Sequence, residues 1–194
     1  MMADSPLAKQ ILETALGVAE SDSWENMHLY SIAQELDVSL EQIRRYYPQK
    51  DDIVEAWFDV ADNAVLALKP EHDFFEQSAA DRLQQMIMTW FDALAAHKRV
   101  TGEMLLYKLE FGHIHLQVLG IMRISRTVQW FREAARIDTT GLRRILEETA
   151  TTAIYLATFG HWLRDDSPDV QKTRDFLKQA LLKPNNCAAK VGLS

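Results

Sequence analysis

The chain has 194 residues, 47% hydrophobic and 25% charged, a composition that excludes a disordered or fibrous protein and suits one domain, or a small domain packed on a larger one. A single cysteine, Cys187, excludes an internal disulfide and any cysteine-based metal cluster. The formal net charge is −7, and residues 1–50 hold four basic side chains against eight acidic ones, so strong phosphate attraction cannot come from charge excess alone.

No run of about 18 apolar residues occurs, so no membrane span is expected. The segment from Met1 to Lys9 is short and polar, without the basic-then-apolar pattern of a secretory leader, and a cytoplasmic location is the expectation. Apolar residues recur at spacings of three and four, and no alternating strand pattern, repeat or low-complexity segment is visible. The expected fold class is all-α.

The first predicted helix runs from Pro6 to Ala19, with Ser5 as cap and proline at the first helical position. Leu7, Ile11, Leu12, Ala15, Leu16 and Ala19 form its apolar face. Trp24, in the polar break that follows, is expected to fold back over a small core. A short helix spans about Ser31 to Leu36, and Asp37-Val38 makes a tight connection. Ser39 and Gln42 have the spacing of a capping box at the start of the third helix. Pro48 stops that helix near Tyr46 or Tyr47, because it disfavours helix in the residue before it. A long fourth helix begins near Gln49 or Lys50 and ends at Lys69-Pro70.

Beyond it, helices are predicted over Ala79–Ala96, Val100–Lys108, His113–Ala135, Thr139–Leu163 and Asp169–Leu182, with Gly112, Gly120 and Gly141 as candidate bends. Ser167 and Pro168 cap and open the last helix. The expected division is 1–50 as a helix-turn-helix domain, 51–182 as a larger helical domain and 183–194 as a flexible tail.

Two short helices joined by a tight turn and braced by a first helix make a DNA-reading unit. Its second short helix would present Glu41, Arg44 and Arg45, whose guanidinium groups suit guanine edges or phosphates. Ser39 caps this helix, Tyr47 packs the small core with a hydroxyl to spare, and Lys50 sits where a helix start can share a phosphate with its backbone N–H groups. The candidate DNA-binding set is therefore Ser39, Glu41, Arg44, Arg45, Tyr47 and Lys50.

These segments resemble a known family. Ile11-Leu12-Glu13-Thr14-Ala15-Leu16 is similar to the first-helix motif of TetR-family transcriptional regulators. Ile32-Ala33-Gln34-Glu35-Leu36-Asp37-Val38-Ser39 is similar to the family's approach to the turn, and Tyr46-Tyr47-Pro48-Gln49-Lys50-Asp51-Asp52-Ile53 to its exit from the reading helix with a phosphate-binding lysine. Asp37 stands where the family usually has glycine, and Arg44 where it usually has tyrosine. The resemblance implies a TetR-like fold, a double-stranded DNA operator as partner, a ligand-responsive repressor and a homodimer paired through its last two helices.

A second resemblance is to the lipid-binding accessory protein of ubiquinone biosynthesis, which shares that fold without acting as a repressor. It is carried by Ala19-Glu20-Ser21-Asp22-Ser23-Trp24, by the run from His161 to Asp169, and by Thr173 and Phe176-Leu177. It implies binding of an isoprenoid lipid and no DNA binding.

The larger region is rich in aromatic and methionine residues, which suit an apolar ligand pocket and an ordinary core equally. Candidate lining residues for a small apolar ligand are Met86, Trp90, Phe91, Met104, Tyr107, Phe111, Met122, Trp130, Tyr155 and Phe159. Ala150, Ala153, Ala157 and Gly160 form a small-residue stripe that lets helices approach closely, within the chain or across a two-fold axis. His113 and His115 point apart on a helix, and His28, His72, His97 and His161 have no partner at three or four, so no metal site is expected. Nucleophile elbow, phosphate loop and HExxH are absent, and neither enzymatic activity nor a cofactor is expected. The pairs Asp51-Asp52 and Asp165-Asp166 read as helix caps.

Overall fold

The computed structural model describes residues 5–109 and 114–190. Among these residues the regular elements are all helical: α1 (Pro6–Ser21), α2 (Leu29–Glu35), α3 (Leu40–Tyr46), α4 (Lys50–Ala67), α5 (Ala79–Leu94), α6 (Lys98–Leu109), α7 (Ile114–Ala134), α8 (Gly141–Trp162) and α9 (Gln171–Lys190). Short 3-10 turns precede α6 and α9, at Ala95–His97 and Pro168–Val170.

Local chemistry explains the boundaries. Ser5 is extended ahead of Pro6, as expected, but its hydroxyl makes no cap and instead donates to Tyr46 Oη at 3.2 Å. The capping box of α3 is complete: Gln42 N–H donates to Ser39 Oγ at 3.2 Å, and Ser39 N–H to Gln42 Oε1 at 2.9 Å. Between α2 and α3, Asp37 has φ 51°, the left-handed conformation that the tight turn demands and that aspartate tolerates better than most residues. Gly141, φ 62°, opens α8, where a residue without a Cβ meets no strain. Gly120 stays inside α7 without ending it. The backbone of α9 continues to Lys190, past the end expected at Leu182, although Pro184, Asn185 and Asn186 are poor helix formers. Phe111, Gly112, His113 and residues 191–194 lie outside the described residues.

The chain divides into two compact units. The first comprises Met1–Ala61 and Leu94–Gln117, and the second Asp62–Ala93 and Val118–Ser194. The expected 1–50 segment falls wholly in the first unit, which also takes in the start of α4 and all of α6. There α1 packs on α2 and α6, and Ile11, Ala15, Trp24, Met27, Ile32, Ile43 and Ile53 are buried. Trp57 Nε1 donates to Thr101 Oγ1 at 2.8 Å, so the indole is buried with its N–H satisfied.

The second unit is built on an aromatic core. Trp90 meets Tyr155 edge-on with centroids 5.4 Å apart, and Phe91 packs against Phe159 and Trp162 at 5.6 and 5.2 Å. Phe131 joins Tyr155 at 5.4 Å. Here α8 and α9 pack together, and Leu177 and Leu181 are buried.

Candidate nucleic-acid interface

Helix α3 buries only Ile43, against the core of the first unit. Leu40, Glu41, Gln42, Arg44 and Arg45 are all exposed. Two basic residues thus stand in the last turn of a short helix with a complete N-terminal capping box, on the surface away from its own core. Arg45 Nη2 donates to Glu41 Oε1 at 2.7 Å across one helical turn. Tyr47 is buried, its hydroxyl donating to the Ala8 carbonyl at 3.1 Å, and burial raises its pKa, helped by Asp59. It therefore ties the end of α3 to α1. Ser39 is spent on the cap.

Lys50 has a role that no local pattern signals. Its ammonium donates to the carbonyls of Trp24, Glu25 (3.0 Å) and Met27 (2.9 Å). That accounts for all three protons. The charge also lies 5.0 Å from the Trp24 ring centroid and 5.7 Å from that of Tyr107. Burial lowers the lysine's pKa, and the Glu25 carboxylate partly offsets this. In this arrangement Lys50 faces the α1–α2 loop rather than open solvent, and a phosphate contact requires these bonds to be exchanged.

Helix α6 supplies a second set of polar ties within the first unit. Arg99 Nη2 donates to the Ala19 and Glu20 carbonyls at 2.8 Å each, satisfying carbonyls left open at the end of α1. Arg99 also pairs with Glu103, whose other oxygen accepts from the Trp24 N–H at 2.6 Å. Lys108, with a side chain 5% exposed, pairs with Asp51 at 2.8 Å and Glu55 at 2.6 Å. Asp51 therefore serves as an ion-pair partner instead of the expected helix cap, while Asp52 Oδ2 does cap α4, accepting from the Gln49 N–H at 2.7 Å.

Charge follows the same division. Residues 1–61 and 94–117 carry seven basic and fourteen acidic residues, so the whole net charge of −7 belongs to the first unit. Of its cations, Arg45, Lys50, Arg99 and Lys108 already face carboxylates or carbonyls.

The described residues expected to line a ligand pocket are divided between the two units. Met104 and Tyr107 belong to the first unit, and Met104 is fully buried there. In the second unit, Met86, Trp90, Phe91, Tyr155 and Phe159 are buried, and the four rings among them pack on one another. Met122 and Trp130 are exposed. Trp130 borders a cleft of about 520 Å³ lined by α7 and the start of α8, with Arg126, Arg132, Asp138, Thr140 and Glu148 on its walls.

Beneath the aromatic core lies a polar group that sequence reading passed over. Asp62 accepts from Trp90 Nε1 at 2.9 Å, Thr127 Oγ1 at 3.0 Å and Arg123 Nη2 at 2.9 Å, and both charged residues are buried. The signal was available in position: Asp62 follows Ala61 on the buried stripe of α4 that continues to Val65. Tyr155 is buried beside this pair. Burial pushes its phenol far above the usual range, Asp62 adds to the effect and Arg123 opposes it.

On α8, Ala153 and Ala157 are exposed, while Ala150 and Gly160 are half-buried. Leu142, Ile145, Leu146 and Leu156 are exposed on the same helix. A groove of about 470 Å³ runs past Leu156, Ala157, Gly160, Lys172 and Phe176. Among the described residues, no helix is long and apolar enough to cross a membrane.

A capped reading helix braced by two others, continued by a long helix into a second all-helical unit, defines a helix-turn-helix regulator fold. A solved TetR transcriptional regulator from Nitrosomonas europaea ATCC 19718 is 44% identical, covering 92% of this chain and 98% of that one, with a TM-score of 0.81. The chain belongs to the TetR family of transcriptional regulators. A TetR transcriptional regulator from Rhodococcus sp. RHA1 shares the fold at 16% identity, with coverage of 89% and 92% and a TM-score of 0.66. The COQ9 family model matches residues 149–187, the region of α8 and α9. No curated protein matches the chain.

Proposed function

We propose that this TetR-family regulator is a homodimeric repressor that binds a double-stranded DNA operator and is released by a small apolar ligand. The observation that carries the reading is the exposed basic end of α3, Arg44 and Arg45, on a helix whose cap, core residue and turn are all in place. Glu41 shares that face, Ser39 and Tyr47 hold the helix, and Lys50 stands at the start of α4. Residues 1–50 are then the DNA-binding segment and 51–182 the ligand-binding and dimerisation segment. The role has no catalytic step and no cofactor, and it implies a cytoplasmic protein.

The exposed apolar residues of α8, with Ala153, Ala157 and Gly160, support pairing with a second copy, since contiguous exposed apolar surface of this kind favours association. The aromatic and methionine residues of the second unit support an apolar ligand, which would have to open rings now packed together. Helix α4 belongs to both units, and a ligand-induced shift in it would change the spacing of the two reading helices in a dimer.

A gel shift with the gene's own upstream DNA, run across a salt series, tests the reading. Sequence-preferring binding that Arg44→Ala weakens is expected. Absence of any preference at low salt would refute it.

The COQ9 match over residues 149–187 and the acidic first unit favour a second reading: an isoprenoid-binding accessory protein of quinone biosynthesis that does not bind DNA. Native mass spectrometry of the purified protein decides it. A bound isoprenoid favours this reading, and a consistently empty protein counts against it.

A further inference from the structure

We infer that Glu41 and Arg45 act as one reading unit that demands a G·C base pair beneath them in the major groove; the inference rests on the DNA-reading role proposed above. The two side chains pair at 2.7 Å one turn apart on α3, and they are 74% and 67% exposed. So exposed an ion pair adds little to stability. Its consequence is geometric: it places a guanidinium and a carboxylate side by side on the helix face that also carries Arg44.

The chemistry of the pair is selective. A guanidinium has five donors, so spending one on Glu41 leaves a fork for two acceptors. An ionised carboxylate only accepts. Against guanine N7 and O6, adenine N7 or thymine O4 it is repelled; only cytosine N4 and adenine N6 offer it a proton. The edge of a G·C pair presents two acceptors and then a donor, the order that a guanidinium followed by a carboxylate requires. An A·T edge offers acceptor, donor and acceptor, so satisfying Glu41 there leaves Arg45 without its two-acceptor partner.

With a net charge of −7, the first unit gains little from generic phosphate attraction when it binds DNA. Where generic phosphate attraction is weak, base contacts carry a larger share of binding. A carboxylate in the groove then acts chiefly against wrong sequences.

The test begins by selecting duplexes from a random library with the full-length protein at low salt. Affinity is then measured for the selected duplex with 7-deazaguanine or N4-methylcytosine placed at each G·C pair in turn. At one G·C pair per half-site, each analogue should weaken wild-type binding about tenfold or more. Glu41→Ala should abolish the N4-methylcytosine penalty and reduce the 7-deazaguanine penalty at that pair, leaving other pairs unchanged. Arg45→Ala should abolish the 7-deazaguanine penalty there. Both residues are exposed, and unchanged melting by circular dichroism would confirm that the variants fold. If a sequence is selected but the penalties persist in the variants, or no G·C pair shows both, the paired reading is overturned and the DNA-binding role survives. If the folded protein selects no sequence, both fall together.

Discussion

The ammonium of Lys50 stands 5.0 Å from the ring centroid of Trp24 and donates to that residue's own backbone carbonyl. The first residue of α4 thereby closes the loop that joins α1 to α2. Trp24 is 1% exposed, and its backbone N–H donates to the Glu103 carboxylate. The loop is thus clamped between a cation from α4 and a carboxylate from α6.

Removing the cation should cost stability. Lys50→Met leaves three carbonyls without a charged donor and is expected to destabilise the protein by about 2 kcal/mol, the scale of a hydrogen bond to a charged group. Lys50→Arg should recover part of that. Urea unfolding checks both, and an unchanged midpoint for Lys50→Met would mean that burial of Trp24 alone holds the loop.

Lys108 makes a stronger case, because it is buried between two carboxylates. Lys108→Met removes the cation that Asp51 and Glu55 share and should cost about 3 kcal/mol, since breaking a buried pair leaves charge less well compensated. Adding Asp51→Asn and Glu55→Gln to it should restore much of the loss. Equal destabilisation with and without the two added changes would show that the carboxylates do not depend on Lys108.

The tight turn offers a backbone test. Asp37 holds φ 51°, so Asp37→Val should destabilise by about 1–3 kcal/mol, because a β-branched side chain resists that conformation. Asp37→Gly should be neutral or stabilising, and it also removes a negative charge two residues before the α3 cap. Urea midpoints compare the three proteins, and similar values for Val and Gly would contradict a strained turn.

Several helix starts were legible in the sequence because they depend on neighbours a few residues away, although Ser5 gives its hydroxyl to Tyr46 and not to a cap. Ser39 with Gln42, and Pro6 at the start of α1, declare themselves in this way. The ties of Lys50 to residues 24–27, of Arg99 to Ala19 and of Lys108 to Asp51 span long stretches of chain, and no local spacing encodes them. The aromatic residues of the second unit illustrate a different limit. Helical periodicity marks Trp90, Phe91, Tyr155 and Phe159 as inward-facing, but it cannot distinguish rings that line a chamber from rings that close on each other, and here they close. Met122 and Trp130 read the same way in sequence and are exposed. Asp62 and Arg123 were missed because charged residues are ordinarily solvated, and only their place on buried helix stripes marks them.

Asp165 sets a pH dependence. Burial alone would raise its pKa, but hydrogen bonds from Ser167 and Thr173 outweigh this and hold it well below the usual carboxylate range. Thr173 contributes both its N–H, at 2.7 Å, and its hydroxyl, at 2.6 Å. A depressed folded-state pKa stabilises above the unfolded value of about 3.9, and the contribution is lost as pH falls below it. The stability gap between wild type and Asp165→Asn should therefore be constant from pH 7 to about 5 and shrink on further acidification. A gap independent of pH down to 3 would mean that the carboxylate's charge is not what the turn before α9 uses.

Selection of binding sites from random double-stranded DNA, followed by sequencing, tests the regulatory role most directly. The expected result is a pseudo-palindrome whose half-sites lie about one helical turn apart, roughly 10–10.5 base pairs between centres, with binding weakened by Arg44→Ala. A folded, dimeric protein that enriches no sequence at low salt would contradict it.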